Sequence, residues 1–459
     1  MKKHLKMIFT ISLLNIVISS CGTQSGSNFA SAIISSSEPS ITSSSSIESS
    51  SNSDETGVVS FDENGHWYHN PSNNNELEYE DHHISYAFDG KEGYKKCLNC
   101  GYIIKVDVSI ADVNEDYFEF YELEDGTYGV GSSSLLPRDS EDKIDLTLPD
   151  SHLGKPVTEV VSNGFSKDEN GRSYYYNIGT LVIPSTIKTI REFAFSYTQF
   201  DFAILRDGIE TIEDGAFGYT PSFMFYLPKT VKDVSPTTFY RSNVSKIIID
   251  ENNEYYKSVD GVVYSKNGNA LCVSPHSYNK DYAILEGTVK INDRVFSGIT
   301  IDSIVFPSTM KEIGVNVFTE CNVKNILLND GLEIIGDRAF EAVHTISIIQ
   351  IPNSVYQIGE GAFNYGVGGA KTITLPSSLK VIETNVLSNN YYLEECIINT
   401  NVETIKKDAF LGSKKISLRY LGKIAQWNKI ALETDWNLID EMGNLYIKQV
   451  HCTDGTLDF

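Results

Sequence analysis

Residues 208–217 read Gly208-Ile209-Glu210-Thr211-Ile212-Glu213-Asp214-Gly215-Ala216-Phe217, and the spacing of their three large apolar residues decides the fold. An aliphatic residue is followed at +3 by a second aliphatic and at +8 by a phenylalanine. The same spacing recurs at Val157-Val160-Phe165, Ile187-Ile190-Phe195, Val231-Val234-Phe239, Met310-Ile313-Phe318 and Leu332-Ile335-Phe340. It continues at Val355-Ile358-Phe363, Leu379-Ile382-Leu387 and Val402-Ile405-Phe410. Thr288-Ile291-Phe296 is the weakest copy, because Val289 suggests a one-residue slip. Uninterrupted copies follow one another every 22 to 24 residues, and a fixed period of that size marks a solenoid.

Each unit carries a second apolar pair upstream. Leu181 and Ile183 precede Pro184, Phe225 and Leu227 precede Pro228, Ile304 and Phe306 precede Pro307, and Ile373 and Leu375 precede Pro376. Alternate apolar residues over a short run predict a strand with one buried face. Proline has no N–H to give a ladder, so it suits the strand's end. One more apolar residue follows each ring, as at Phe200, Val244, Val323, Leu393 and Ile416. No coil can bury this set alone, whereas stacking at roughly 4.8 Å makes a continuous core. The alanine before the ring (Ala194, Ala216, Ala339, Ala362, Ala409) leaves room for it at a tight corner. The expected fold is a mostly β solenoid, with some α+β character: a right-handed stack of about ten coils with short parallel strands.

The run I-x-I-P-x-x-[VI]-x-x-I-x-x-x-A-F resembles the leucine-rich repeat of the BspA type over roughly residues 136–417. Asp260-Gly261-Val262-Val263-Tyr264, after Asn252-Asn253-Glu254-Tyr255-Tyr256, is similar to a hairpin insertion that such proteins often carry. Tyr420-Leu421-Gly422 with Gln426-Trp427-Asn428-Lys429-Ile430 resembles the family's closing segment, as does Val450-His451-Cys452-Thr453-Asp454-Gly455. Val386-Leu387 replaces the usual Ala-Phe, which predicts a locally looser coil. The resemblance implies cell-surface binding and adhesion, with varied partners.

Met1 to Ser20 reads as a signal peptide, with Lys2, Lys3 and Lys6 ahead of an apolar stretch from Met7 to Ile18. Ile18-Ser19-Ser20-Cys21 resembles a bacterial lipobox, which implies cleavage before Cys21 and a lipid thioether on its sulfur. The alternative is an ordinary secretory signal with an incidental cysteine. Residues 21–60 are dominated by serine and read as a disordered tether. The remaining layout is a His/Cys module over 61–104, an N-terminal cap hairpin over 105–135, the solenoid over 136–417 and a C-terminal cap over 418–459. The period is interrupted near 166–177 and 250–282. A formal net charge of −24 argues against nucleic acid and against anionic lipid surfaces, so the lipid would be the only membrane attachment.

Residues 61–104 contain His66-Trp67-Tyr68-His69, His82-His83 and Cys97-Leu98-Asn99-Cys100-Gly101. Cys-x-x-Cys before glycine turns two thiolates toward one ion, and two histidines would complete a tetrahedral zinc site. Cys97, Cys100, His66, His69, His82 and His83 are therefore the candidate ligands of a structural zinc. A Cys97–Cys100 disulfide and reduced thiols with surface histidines remain as alternatives. The module is similar to H-W-x-x-C … H … C-x-x-C-G segments of bacterial surface proteins, but His69 or Asn70 stands where their first cysteine would be. Cys272, Cys321 and Cys396 fall singly within repeats, as small core residues would.

Catalytic signatures are missing: there is no G-x-S-x-G elbow, no H-E-x-x-H and no Walker A lysine loop. The acidic run Asp250-Glu251-Asn252-Asn253-Glu254 lacks the spacing of a calcium loop and reads as a turn. Tyrosine suits protein or glycan contact, and it clusters at both interruptions. Tyr174, Tyr175, Tyr176, Tyr255 and Tyr256 are the candidate contact residues. The leading expectation is a non-catalytic surface lipoprotein that binds a host or envelope protein or glycan. The second is a structural spacer that presents the Cys-x-x-Cys module or a partner. A hydrolase is the third and has the least support.

Overall fold

The structure, a computed structural model, describes residues 58–459 except 62–64, 71–75, 82–83, 98–102, 109, 138–141, 167–175, 222–223, 278–280, 344–349, 414–415 and 438–445. Side chains are described from residue 88 onward, apart from 96–97, 104 and 324–325.

The chain forms a β-solenoid whose coils contribute two strands each, where the alternation ahead of proline announces one. The longer strand is that predicted one. Asn177–Ile183 pairs in parallel with Gln199–Leu205, Met224–Leu227 with Lys246–Ile249, Thr300–Val305 with Asn322–Leu327, and Glu395–Ile398 with Ser417–Tyr420. The second strand is two residues long and holds the +3 aliphatic. Thr189–Ile190, Thr211–Ile212 and Asp233–Val234 form one ladder, and Lys290–Ile291, Glu312–Ile313, Ile334–Ile335 and Gln357–Ile358 form another. A pair of residues makes a poor strand alone, but one aligned pair per coil makes a ladder that runs across several coils.

Inward residues are those the period marks. Ile209, Ile212, Ala216 and Phe217 are buried together with Leu205 and Phe225. The rings stack along the axis: Phe195 lies 5.5 Å from Phe217, Phe296 lies 5.5 Å from Phe318, and Phe340 lies 5.3 Å from Phe363. The weakest copy has not slipped. Thr288 is buried, its hydroxyl donating to the Gly268 carbonyl at 3.2 Å, and Val289 faces outward. A buried hydroxyl with a carbonyl acceptor is as acceptable there as a methyl group.

The stack is closed at each end by a hairpin. Phe118–Glu122 pairs antiparallel with Tyr128–Ser132, which starts the short-strand ladder against Lys155–Val160. Gln449–Cys452 and Gly455–Asp458 close the long-strand ladder at the other end. Beside them the short helix Ile424–Trp427 buries Trp427 against Tyr420, and Asp454 accepts the Ile424 N–H at 2.8 Å.

Between Phe239 and Phe296 the core divides. An antiparallel sheet of Tyr256–Val259, Val262–Ser265 and Ala270–Val273 enters here, and its last strand starts the second short-strand ladder. Strand alternation sends Val263 into the upstream core and Val262 and Tyr264 into the downstream one, and a register shift against the next strand places Leu271 downstream and Val273 upstream.

A second sheet, Ile84–Phe88, Gly93–Cys97 and Ile103–Val106, lies on the outer face of the long strands. Val182, Phe202 and Ile204 point away from the core yet are buried. Gly93 lets the sheet close in, since a Cβ there would sit 3.0 Å from the Phe202 ring. At corresponding positions downstream, Val305 and Leu327 are 58% and 74% exposed. No described helix is long and apolar enough to cross a membrane.

Candidate functional site

Several sequence candidates lie outside the described residues: Cys21, His82, His83, Cys100, Tyr174 and Tyr175, along with residues 1–57. His66 and His69 fall in the strand Gly65–Asn70, opposite Glu80 and Leu77, and Cys97 ends a strand opposite Ile84. Their side chains are not among those described. Among the described residues no group of three or more His, Cys, Asp or Glu could hold a metal ion.

Tyr176 does not stand at the surface. It is fully buried beside Phe165, and its hydroxyl donates to the Ser132 Oγ at 2.9 Å. It stands at the end of the first insertion and is a core residue of the upstream coils. Tyr255 is 46% exposed. Tyr256 is half-buried against the upstream core, and burial pushes its phenol up to about 12. The acidic run is a turn: Asp250 accepts from the Asn252 N–H at 2.8 Å. Buried Asn253 accepts from the Tyr255 and Tyr256 N–H groups and donates to the Val231 carbonyl at 2.8 Å.

The more developed site lies at the phenylalanine corner, where the core divides. In regular coils the corner N–H groups bond forward to the next coil. Phe195 donates to the Ala216 carbonyl at 2.9 Å and Tyr197 to that of Gly218 at 2.9 Å. Phe217 donates to Thr238 at 3.0 Å and Tyr219 to Tyr240 at 2.9 Å. The ladder resumes with Phe296 to Val317 and Gly298 to Thr319. It stops in between. The Phe239 and Arg241 N–H groups have no acceptor among the described residues. The Ser297 carbonyl, the counterpart of Gly218 and Tyr240, accepts instead from His276 Nε2 at 3.3 Å.

Where the ladder breaks among the described residues lies a cavity of about 260 Å³ lined by Arg241, Ser242, His276, Ser277, Gly298, Ile299 and Thr300. Gly298 has φ +71°, and a Cβ there would sit 3.0 Å from the Tyr240 ring and crowd the notch. The Arg241 guanidinium is exposed, sits 5.3 Å from the Tyr240 ring centre and has no carboxylate partner among the described residues. Burial pushes His276 down to about 4, so its ring is neutral at physiological pH. A row of aromatic rings leads into the notch: Tyr197 stacks on Tyr219 at 4.1 Å, Tyr219 meets Tyr240 at 6.0 Å, and Tyr240 meets His276 at 5.3 Å. Farther along, Tyr365 meets Tyr391 at 6.0 Å, and Tyr392 beside them is exposed. The recurrence of tyrosine at 197 and 219, two places after consecutive phenylalanines, was the available signal for this edge.

A model of the BspA-type leucine-rich repeat region matches residues 170–259 and 284–429 in six copies, more than half of the chain. The chain belongs to the BspA-type leucine-rich repeat family. Within this BspA-type chain the unmatched stretch between those ranges holds the last two strands of the inserted sheet and His276, while Arg241 and Gly298 sit in the repeats on either side. Among solved structures, the chain is similar to the pneumococcal vaccine antigen PcpA, at 19% identity and a TM-score of 0.45, over 71% of this chain and 97% of that one. A leucine-rich cell surface protein from Faecalibacterium prausnitzii aligns at 18% identity and 0.39, over 71% and 98%. A leucine-rich repeat protein from Eubacterium ventriosum aligns at 18% and 0.41, over 73% and 91%. No curated protein matches.

Proposed function

We propose that this protein is a surface-exposed, lipid-anchored binding protein without catalytic activity, whose solenoid presents a contact edge to a host or envelope protein or glycan. The observation that carries this reading is the aromatic row Tyr197–Tyr219–Tyr240 ending beside Arg241 and the notch. Such a row offers flat apolar area with hydroxyls at low entropic cost, on a rigid scaffold. Family membership supports repeat-based binding, and the lipobox-like Ile18-Ser19-Ser20-Cys21 supports anchoring through Cys21. The sheet containing Cys97 is folded onto the repeats, which favours this reading over a spacer that holds the module away.

The test compares the chain lacking its first 21 residues with its Tyr197→Ser/Tyr219→Ser variant, on immobilised matrix proteins and glycans. Loss of retention with an unchanged melting curve supports the reading. Equal retention of both forms overturns the assignment of this edge.

A further inference from the structure

The notch at the broken corner ladder has features of its own that bear on what it holds. Resting on the binding reading above, we propose that it takes the carboxylate of an acidic saccharide, with the sugar ring lying along the Tyr240 side.

Arg241 brings two kinds of donor to the cavity. In the regular stack the corner N–H groups point forward to the next coil's carbonyls, and of the two corner residues whose N–H groups have no such partner among the described residues, Arg241 borders the cavity. Its side chain is exposed beside the same cavity. A main-chain donor and a guanidinium on the same residue match a carboxylate's acceptor oxygens, and hydrogen bonds to an ionised acceptor are among the stronger ones. The notch offers no competing carbonyl from Ser297, because His276 already donates to it. His276 is therefore a positioning residue: it replaces the missing backbone donor and adds no charge.

The rest of the lining favours a sugar over an acidic side chain. Ser242, Ser277 and Thr300 supply hydroxyls suited to a polyhydroxylated ring. Tyr240 stands beside the lining, in contact with both Arg241 and His276. A volume of about 260 Å³ is below the usual range for drug-sized ligands and suits a single ring. The chain's charge of −24 repels anions at long range, but screening limits this to about 8 Å at physiological salt.

Calorimetry of the intact folded chain would be run with a short uronic-acid oligosaccharide, the same oligosaccharide with its carboxyls reduced to alcohols, and a glutamate-rich peptide of equal charge. The acidic sugar should bind, and carboxyl reduction should weaken binding about tenfold or more. Arg241→Gln should cause a similar loss and Tyr240→Leu a smaller one. Arg419→Gln, a charge-matched change on the last long strand, should leave binding unaltered. Equal binding of native and reduced sugars, an unaffected Arg241→Gln variant, or a peptide that binds as well as the acidic sugar would each overturn the proposal. If neither sugar binds while Tyr197→Ser/Tyr219→Ser still abolishes retention on matrix proteins, this proposal fails and the broader binding reading stands.

Discussion

Phe217 shows what one residue does in this molecule. Its ring is fully buried, stacked 5.5 Å from Phe195 and 4.5 Å from the ring of Phe225. Truncation leaves a cavity that neighbours in a stack cannot collapse into without shifting whole coils. Phe217→Ala should cost about 3–5 kcal/mol, read from urea melts, and an unchanged midpoint would contradict the ring's role. The +3 and +8 residues were legible in the sequence because burial repeats with the chain's own period. Tyr176 was not. It lies at the end of an irregular insertion, where no period says which way a side chain turns, and its hydroxyl finds Ser132, 44 residues away in sequence. Leu387 departs from the family pattern but is as buried as the rings it replaces, so the coil gives up ring stacking and keeps its packing.

Among the elements, the strand ahead of proline was readable from alternation, whereas the two-residue strand was not, because two residues carry no alternation to detect. The segment around His276 gains its meaning only from the broken corner. A histidine held down at about 4 when folded takes up protons more readily when unfolded, so its stabilising contribution is complete above about 6.5 and is lost as pH falls toward 4. Lowering pH across that window should reduce unfolding free energy by up to about 3 kcal/mol more in the parent chain than in His276→Gln, by chemical denaturation at each pH. Equal pH profiles would show that the ring is not held neutral. The sheet over Val182, Phe202 and Ile204 makes a separate prediction. Removing residues 1–106 should expose this stripe and raise binding of an apolar fluorescent dye, while the far-ultraviolet circular dichroism of the repeats persists. Unaltered dye binding would mean that the sheet does not cover the stripe.

For the whole molecule, the important feature is that one period builds two cores. Solenoid stability is a sum of coil and neighbour terms, so cooperativity depends on what joins the halves. Here Val263 faces upstream while Val262 and Tyr264 face downstream on the same strand, and the Tyr264 and Tyr282 hydroxyls are hydrogen-bonded to each other inside the downstream core. Val263→Asp should place an unpaired charge in the upstream core and split urea unfolding into two transitions, while the parent shows one. A single transition in the variant would show that the strand does not couple them. The sequence by itself determined the coil, its period, its inward residues and the family, because each follows from local spacing repeated many times. Which tyrosines are surface and which are core, which face the N-terminal sheet covers, and where the corner ladder stops were decided by tertiary structure alone. Each depends on the meeting of segments tens of residues apart at an interruption, where the period gives no rule.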